Sequence, residues 1–212
     1  MTAADDAGKI ASGNPTASSA PVLQFDVRPF VSRAGQKLDH ALDAFALDVS
    51  GLTCADFGSN VGGFVDCLLQ RGAAKVYAID TGYGALDWKL RKDPRVVVME
   101  RTNAMHVQLP EPVNLVTIDV AWTKQKHILP AARRILEPTG SVATLIKPHY
   151  EADPALLDGG VLPAEKVADL VFKLQSDIAA AGFVIVGMTD SPIVGSKGNR
   201  EVLAHLRQKR PE

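Results

Sequence analysis

A glycine-rich segment, Asp56–Phe64, contains residue types that suit the binding of a nucleoside-like ligand. It reads Asp-Phe-Gly-Ser-Asn-Val-Gly-Gly-Phe and lies between an apolar run and a helical pattern, which predicts the carboxyl end of a strand, where open α/β sheets bind ligands. A dinucleotide-binding pattern requires a glycine two residues after Gly58, and this sequence has Asn60 there. Asp56 would repel a pyrophosphate and favour a cationic ligand, such as one with an ammonium group.

A second acid, Asp80, ends the next apolar run. A carboxylate about 20 residues beyond such a segment can accept hydrogen bonds from ribose hydroxyls. An adenosine with a positively charged amino-acid tail therefore fits better than a nicotinamide dinucleotide, and S-adenosylmethionine has that chemistry. The other interpretation is a tight strand–helix turn with a solvated acid, because a single glycine-rich loop is a weak signal.

Two more charged residues, Asp119 and Lys147, each follow a strongly apolar run. The carboxyl ends of parallel strands meet at one edge of a sheet, so both are expected beside the glycine-rich segment. A charge that closes a buried strand is unfavourable unless it is paired or functional. The alternative is that each residue simply ends its strand in solvent.

Short apolar runs alternate with helical patterns from Gly51 onward. Runs that are apolar throughout predict strands of a parallel sheet covered on both faces. The fold class is therefore α/β, a Rossmann-like, doubly wound and mostly parallel sheet with helices on both faces. Predicted strands cover residues 52–57, 75–79, 96–99, 113–120, 141–146, 183–188 and 201–206, the last two as candidates for antiparallel pairing. Four helices are predicted. One begins near Ser32, a second covers 63–70, a third ends near Ile135, and a fourth covers 167–178.

Composition limits the class of protein without indicating an activity. The 212 residues are 46% hydrophobic and 22% charged, with a formal net charge of -1, which excludes a wholly basic nucleic-acid coat. No apolar run approaches the ~20 residues of a membrane span, and we expect no secretory signal. Two cysteines indicate a reducing, cytoplasmic location, and the histidines show no metal-ligand spacing. The composition of residues 1–24 predicts a disordered tail, and we expect residues 25–212 to form one domain.

Seven short segments together resemble a known family. The chain is similar to the FtsJ-like 2′-O-ribose RNA methyltransferases over about 30–206, and most closely to their TlyA-like rRNA branch, although we expect it to lack the N-terminal S4 RNA-binding module usual in that branch. The resemblance implies the class I S-adenosylmethionine-dependent methyltransferase fold, S-adenosylmethionine as cofactor, and structured RNA, in rRNA or a ribosomal subunit, as partner. The segments are Ser32–Leu38, Asp56–Phe64, Val76–Gly84, Glu100–Asn103, Thr117–Val120, Leu145–Pro148 and Ser196–Glu201.

The family's Lys-Asp-Lys-Glu tetrad matches Lys37, Asp119, Lys147 and Glu201. By resemblance, Lys147 is the general base for a ribose 2′-hydroxyl, Lys37 is a neighbouring cation, and the two carboxylates orient them. Because a free lysine has a pKa near ~10.4, this role implies that burial and a second cation lower the pKa. The residues that the resemblance places at the cofactor are Asp56, Gly58, Ser59, Gly62, Gly63, Phe64, Asp80, Asn103 and Asp119.

Other functions stay open at this point. A catalytically weak cofactor-binding protein could act as an interaction platform for RNA or protein, and the acidic loop over 149–160, where RNA phosphate would favour cations, supports that alternative. Methyl transfer to a protein or small molecule is disfavoured by the tetrad, a nicotinamide oxidoreductase by the loop spacing, and a membrane-lytic role by the lack of an amphipathic or spanning segment. Trp122 either stacks on a base or packs against the protein.

Overall fold

The computed structural model describes residues 29–209, so the predicted tail over 1–24 lies outside the described part of the chain. Three short 3₁₀ turns accompany the longer elements, at Ala104–His106, Pro154–Leu156 and Ser196–Gly198. The helices are α1 (Ala34–Ala44), α2 (Gly63–Gln70), α3 (Trp88–Arg91), α4 (Gln125–Ile135), α5 (Pro148–Glu151) and α6 (Ala164–Ala180). The strands are β1 (Thr53–Phe57), β2 (Lys75–Ile79), β3 (Val96–Met99), β4 (Val113–Ile118), β5 (Leu136–Ile146), β6 (Phe183–Asp190) and β7 (Val202–Gln208).

The strands of the described chain form one seven-stranded sheet in the order β3-β2-β1-β4-β5-β7-β6. Strands β1 to β5 pair in parallel, whereas β7 is antiparallel to both β5 and β6. The chain reverses its direction of travel across the sheet between β1 and β4, and a crevice at such a switch point is where doubly wound sheets bind ligands. The predicted fold class, including the antiparallel closing pair, is confirmed.

Alternate side chains of the strands pack into two separate cores, one on each face. On one face, Leu38 of α1 and Leu68 of α2 pack against Cys54 and Leu145 of the sheet. On the other face, helices α4 and α6 pack against the neighbouring strand residues, among them Phe57. Two layers of helix therefore enclose the sheet, and its carboxyl edge is left for loops that carry polar residues.

The structure differs from the sequence prediction mainly at element ends. Strand β5 begins at Leu136, five residues before the predicted start, because the chain passes from α4 into the sheet without an intervening loop. The short helix α3 follows no helical repeat and was not predicted; Asp87 caps it by accepting a hydrogen bond from the Lys89 amide. Between residues 29 and 209, the structure contains no helix long and apolar enough to cross a bilayer.

Candidate active site

The candidate site lies at the carboxyl edge of the sheet, where loops after β1, β2, β4 and β5 meet. Two adjoining cavities open there, of about 280 and 190 Å³. Gly58, Asn60, Asp119 and Ala121 line both of them. The larger cavity extends toward the end of β2 and the smaller one toward the end of β5, so an elongated ligand can occupy both.

The glycine-rich segment closes tightly over the end of β4. Gly58 has φ +87°, and a Cβ built on it would lie 2.6 Å from the Asp119 carbonyl oxygen, so a side chain at this position would displace one of the two loops. Gly62 has φ +102° and faces Leu86 and Leu90 rather than either cavity. Gly62 shapes the backbone at the start of α2, and its contact with the cofactor stays a prediction.

Asp56 is a buried acid with one unsatisfied oxygen. Its Oδ1 accepts a hydrogen bond of 2.7 Å from the Thr117 hydroxyl, whereas Oδ2 has no partner within the described residues. Burial raises the pKa of Asp56 to about 7, even though the Thr117 hydrogen bond acts in the opposite direction. The negative charges of Asp119 and Asp80 also raise this pKa. A cationic ligand group in the smaller cavity, which Asp56 lines, would supply the missing partner.

Asp80 and Asn103 line the larger cavity, as predicted for a nucleoside-binding end. The two Asp80 oxygens accept backbone N–H groups from Asn60 at 2.8 Å and Gly82 at 2.6 Å, which ties the glycine-rich segment to the end of β2. Asn103 Oδ1 accepts the Met105 amide at 2.9 Å, so the side-chain NH₂ remains able to donate to a ligand. These groups and the unsatisfied Asp56 oxygen fit the two ends of S-adenosylmethionine.

Of the residues predicted to bind the cofactor, all but Gly62 line at least one of the two cavities. Ser59, Gly63 and Phe64 lie along the smaller cavity with Asp56. A side chain on Gly63 would collide with the Ser32 hydroxyl, which explains why the start of α2 can pack so close to the segment before α1. The prediction therefore named residues that the fold does bring together.

The four tetrad residues form two ion pairs. Lys147 Nζ lies 2.6 Å from Asp119 Oδ1, and Lys37 Nζ lies 2.5 Å from Glu201 Oε2. Lys37 and Glu201 are almost fully enclosed, with side chains 12% and 4% exposed, whereas Lys147 and Asp119 line the smaller cavity. The Lys147–Asp119 contact lacks the angles of a hydrogen bond, so Asp119 Oδ1 can still accept one.

Strand register brings one residue of each ion pair to the same level of the sheet. Ile146 at the end of β5 is paired with Val202 at the start of β7. The adjoining residues, Lys147 and Glu201, therefore leave the sheet at the same level of this antiparallel pair. Gly195 leaves room for the Glu201 carboxylate, since a Cβ there would overlap Oε1.

A third cavity, of about 580 Å³, is lined by residues of the segments that follow β4 and β5 and of the turn before β7. Trp122 lines both this cavity and the larger cofactor cavity, is 80% exposed, and has φ +58°, which is unusual for a bulky residue. Its ring centroid lies 6.0 Å from that of Tyr150, so Trp122 contacts a neighbouring aromatic ring at the surface and is not part of the core. Strained backbone of this kind clusters at ligand-binding sites.

The acidic loop over 149–160 presents less negative charge to this cavity than its sequence indicates. Glu151 is buried, accepts a 2.8 Å hydrogen bond from the Gln125 amide, and has its pKa raised by burial. Asp153 Oδ1 accepts the Ala155 amide within the loop. Lys124 Nζ donates to the Glu151 carbonyl at 2.9 Å. The acid at 151 therefore joins the loops after β4 and β5 instead of facing a substrate.

Two residues that support the site had no role in the sequence prediction. Thr117 holds Asp56, and the signal for it was a hydroxyl within an otherwise apolar strand. Asn199 is buried, donates to the carbonyls of Gly160 and Ser196 at 3.1 Å each, and accepts the Leu162 amide at 3.1 Å. Asn199 thus fastens the loop after α5 to the turn that carries the tetrad glutamate.

Comparisons with known proteins show the family of this chain. The FtsJ-like methyltransferase family model matches residues 30–208. YqxC of Bacillus subtilis is 42% identical over 186 residues, which cover 84% of this chain and 65% of YqxC. The 16S/23S rRNA (cytidine-2′-O)-methyltransferase TlyA of Mycobacterium tuberculosis is 41% identical over 190 residues, covering 85% of this chain and 69% of TlyA. The chain thus spans about two thirds of the length of these curated relatives.

A solved structure has the same fold. A protein of Streptococcus thermophilus described as a hemolysin superposes with a TM-score of 0.84 at 36% identity, over 88% of this chain and 70% of that one. The family match covers nearly all described residues and every segment that carried the resemblance in sequence. This chain belongs to the FtsJ-like methyltransferase family.

Proposed function

We propose that this protein transfers a methyl group from S-adenosylmethionine to a ribose 2′-hydroxyl of structured RNA, with ribosomal RNA as the substrate. One observation carries the proposal: the Lys147–Asp119 ion pair lines the cofactor cavity, and Glu201, the partner of Lys37, leaves the sheet at the level of Lys147. A ribose hydroxyl is a poor nucleophile until a base removes its proton, and this pairing suits that task. The name of the TlyA relative supports ribose in rRNA as the acceptor.

Each tetrad residue has a distinct part in the proposed reaction. S-adenosylmethionine, when bound, supplies an electrophilic methyl group. Lys147 Nζ, in its neutral amine form, accepts the proton of the 2′-hydroxyl and becomes the ammonium partner of Asp119; Asp119 and the Val120 carbonyl, 3.2 Å away, fix its direction. Lys37 provides a fixed positive charge that stabilises the negative charge developing on the 2′-oxygen, and Glu201 holds that lysine in place.

The 580 Å³ cavity is proposed to receive the target nucleotide. It adjoins Lys147 through Tyr150, whose ring centroid lies 6.0 Å from Lys147 Nζ. Trp122 and Tyr150 offer aromatic faces for a base that has left its stack, which is how proteins bind unpaired RNA bases. We further propose a cytoplasmic location, where ribosomal RNA is found.

Methyl incorporation into RNA tests the proposal. The protein and labelled S-adenosylmethionine are incubated with total RNA from cells that lack the gene, and the modified position is mapped by resistance of the adjacent phosphodiester to alkali. We expect a 2′-O-methyl group in rRNA. Lys147→Ala should lower the rate by about 10²–10⁴-fold and leave cofactor binding intact.

A matched control is Lys126→Ala, which removes an exposed lysine of α4 outside the three cavities. This variant should methylate RNA at the wild-type rate. A methyl group found on a base instead of a ribose, or equal rates for the two lysine variants, would refute the proposed reaction. Cofactor binding without any methyl incorporation would favour an interaction platform.

A further inference from the structure

A second pair of exposed aromatic residues lies between β2 and β3, away from the catalytic ion pairs. Tyr83 is 73% exposed and Trp88 is 66% exposed. Single exposed apolar side chains are normal, but each of these rings has a cation stacked over it. The Arg101 guanidinium carbon lies 4.1 Å from the Tyr83 ring centroid, and Lys92 Nζ lies 4.7 Å from that of Trp88. We call these four residues the β2–β3 surface.

The two cations of this surface are not neutralised by the protein. Neither Lys92 nor Arg101 forms an ion pair with any residue in the described range 29–209. Nearby acids are occupied by other groups, with Asp87 capping α3. The remaining pairs of the region are Asp66–Lys89, Arg91–Glu100 and Asp93–Arg95. The surface therefore offers two positive charges to an anionic partner.

The segment that carries Tyr83 and Trp88 is anchored to the protein by other residues. Leu86 and Leu90 are the buried anchors of the segment and lie against the turn at Gly62. The Asp87 amide donates to the Val61 carbonyl at 3.0 Å, which fastens the segment to the glycine-rich loop. Because the core contacts come from the leucines, the exposed rings are free to contact a partner in a preset position.

Arg101 places one end of the surface at the rim of the cofactor cavity. Its φ is +53°, in the left-handed region, and its amide donates to the Gly82 carbonyl at 3.0 Å. The next residues, Thr102 and Asn103, line the cavity itself. A non-glycine residue held in this conformation beside a ligand site is typical of functional positions.

We propose that the β2–β3 surface binds an unpaired stretch of the RNA substrate that flanks the target nucleotide. The inference rests on the proposed function and extends its substrate contacts. Aromatic faces with adjacent cations bind single-stranded nucleic acid by stacking bases and contacting phosphates. In the sheet order, β1 and its glycine-rich loop separate this surface from Trp122 and Tyr150, which follow β4 and β5. The bound RNA would therefore cross the carboxyl edge of the sheet on both sides of the cofactor.

Affinity for a short single-stranded RNA of mixed sequence tests this inference by fluorescence anisotropy. Replacing either ring with alanine (Tyr83→Ala or Trp88→Ala) should weaken binding on the order of tenfold. Trp88→Tyr should restore most of the affinity because it keeps an aromatic face. Phe172→Ala is the matched control, since Phe172 is 70% exposed on α6, and this variant should bind RNA as the wild type does. Unchanged S-adenosylhomocysteine affinity shows that each variant is folded.

Tryptophan fluorescence gives a direct readout. The chain has two tryptophans, so Trp122→Phe leaves Trp88 as the single reporter. Added RNA should quench its emission, and the quenching should weaken at high salt. Lack of quenching in a variant that binds RNA would overturn the inference, as would equal affinity of the wild type and the Tyr83→Ala variant.

The outcomes separate this inference from the proposed function. If the Tyr83→Ala and Trp88→Ala variants bind and methylate RNA as well as the wild type does, the inference is overturned and the proposed function stands. A wild-type protein that binds no RNA would contradict the proposed function. Loss of binding confined to intact ribosomal subunits, with naked RNA unaffected, would assign the surface to a protein partner and overturn the inference.

Discussion

The affinity for the cofactor product should depend on pH through Asp56. This carboxyl has an ordinary pKa of 3.8, which burial raises to about 7, and its Oδ2 has no partner within the described residues. If the ammonium group of the ligand pairs only with the ionised form, the ionised fraction sets the affinity. That fraction falls about tenfold between pH 8 and pH 6, so the Kd of S-adenosylhomocysteine should rise about tenfold, or about 1.4 kcal/mol.

Isothermal titration calorimetry at several pH values measures this effect, and Asp56→Asn is the control. The asparagine keeps the shape and the Thr117 contact but cannot ionise. The Kd of the variant should therefore be higher than that of the wild type at pH 8 and nearly constant with pH. Binding to the wild type near pH 6 should also release a proton, which buffers of different ionisation enthalpy detect. Equal pH dependence in the two proteins would refute the assignment of Oδ2 to the ligand ammonium.

The same group should affect the stability of the ligand-free protein. An acid whose pKa is raised by folding binds a proton more readily in the folded state, so the free energy of unfolding falls as pH rises from about 4 to about 7. The change from 3.8 to about 7 corresponds to about 4 kcal/mol at most. Urea denaturation at pH 5 and pH 8 should show about 2.6 kcal/mol of this loss in the wild type, since the remainder falls below pH 5, and a smaller loss in Asp56→Asn. A wild type that loses no more stability than the variant would contradict the raised pKa.

Three further predictions test other parts of the site. Gly58→Ala should weaken cofactor binding at least tenfold by displacing the loop from the end of β4, whereas Gly84→Ala, also at positive φ but with open space around it, should bind normally in calorimetry. Lys37→Ala and Glu201→Ala should lower the methylation rate similarly, and the double variant should be no slower than either, because the two act as one unit; additive losses would contradict this pairing. Asn199→Ala should lower the free energy of unfolding, measured by urea denaturation, by about 1–3 kcal/mol. It should also lower kcat while changing KM less. An unchanged kcat would show that Asn199 does not position the tetrad.

Much of the fold followed from apolar periodicity. The bounds of α2, β2 and β3 match the sequence prediction, because apolar runs of four to eight residues bounded by polar ones fix such elements. Helix α3 depends on a capping contact, and the early start of β5 depends on the direct passage of the chain from α4. A repeat of apolar residues predicts neither feature.

The candidate site was predictable as a set of residue types and less so as a set of contacts. Strand ends placed Asp119 and Lys147 at one edge, but the proximity of Lys37 to Glu201 depends on packing across 164 residues of chain. The resemblance to the FtsJ-like family indicated that proximity, whereas the periodicity of apolar residues could not. The buried hydrogen bond of Thr117 and the orientation of Trp122 depend on tertiary contacts, so they could be found only in the structure.

The central claim is that the Lys147–Asp119 and Lys37–Glu201 pairs direct a methyl group onto a ribose 2′-oxygen. Once the modified nucleotide is mapped, the most direct measurement compares methyl transfer to that RNA and to the same RNA with a 2′-deoxy nucleotide at the mapped position. The account predicts full transfer to the first and none to the second, with equal RNA affinity. Methylation of the deoxy nucleotide at the same position would contradict it.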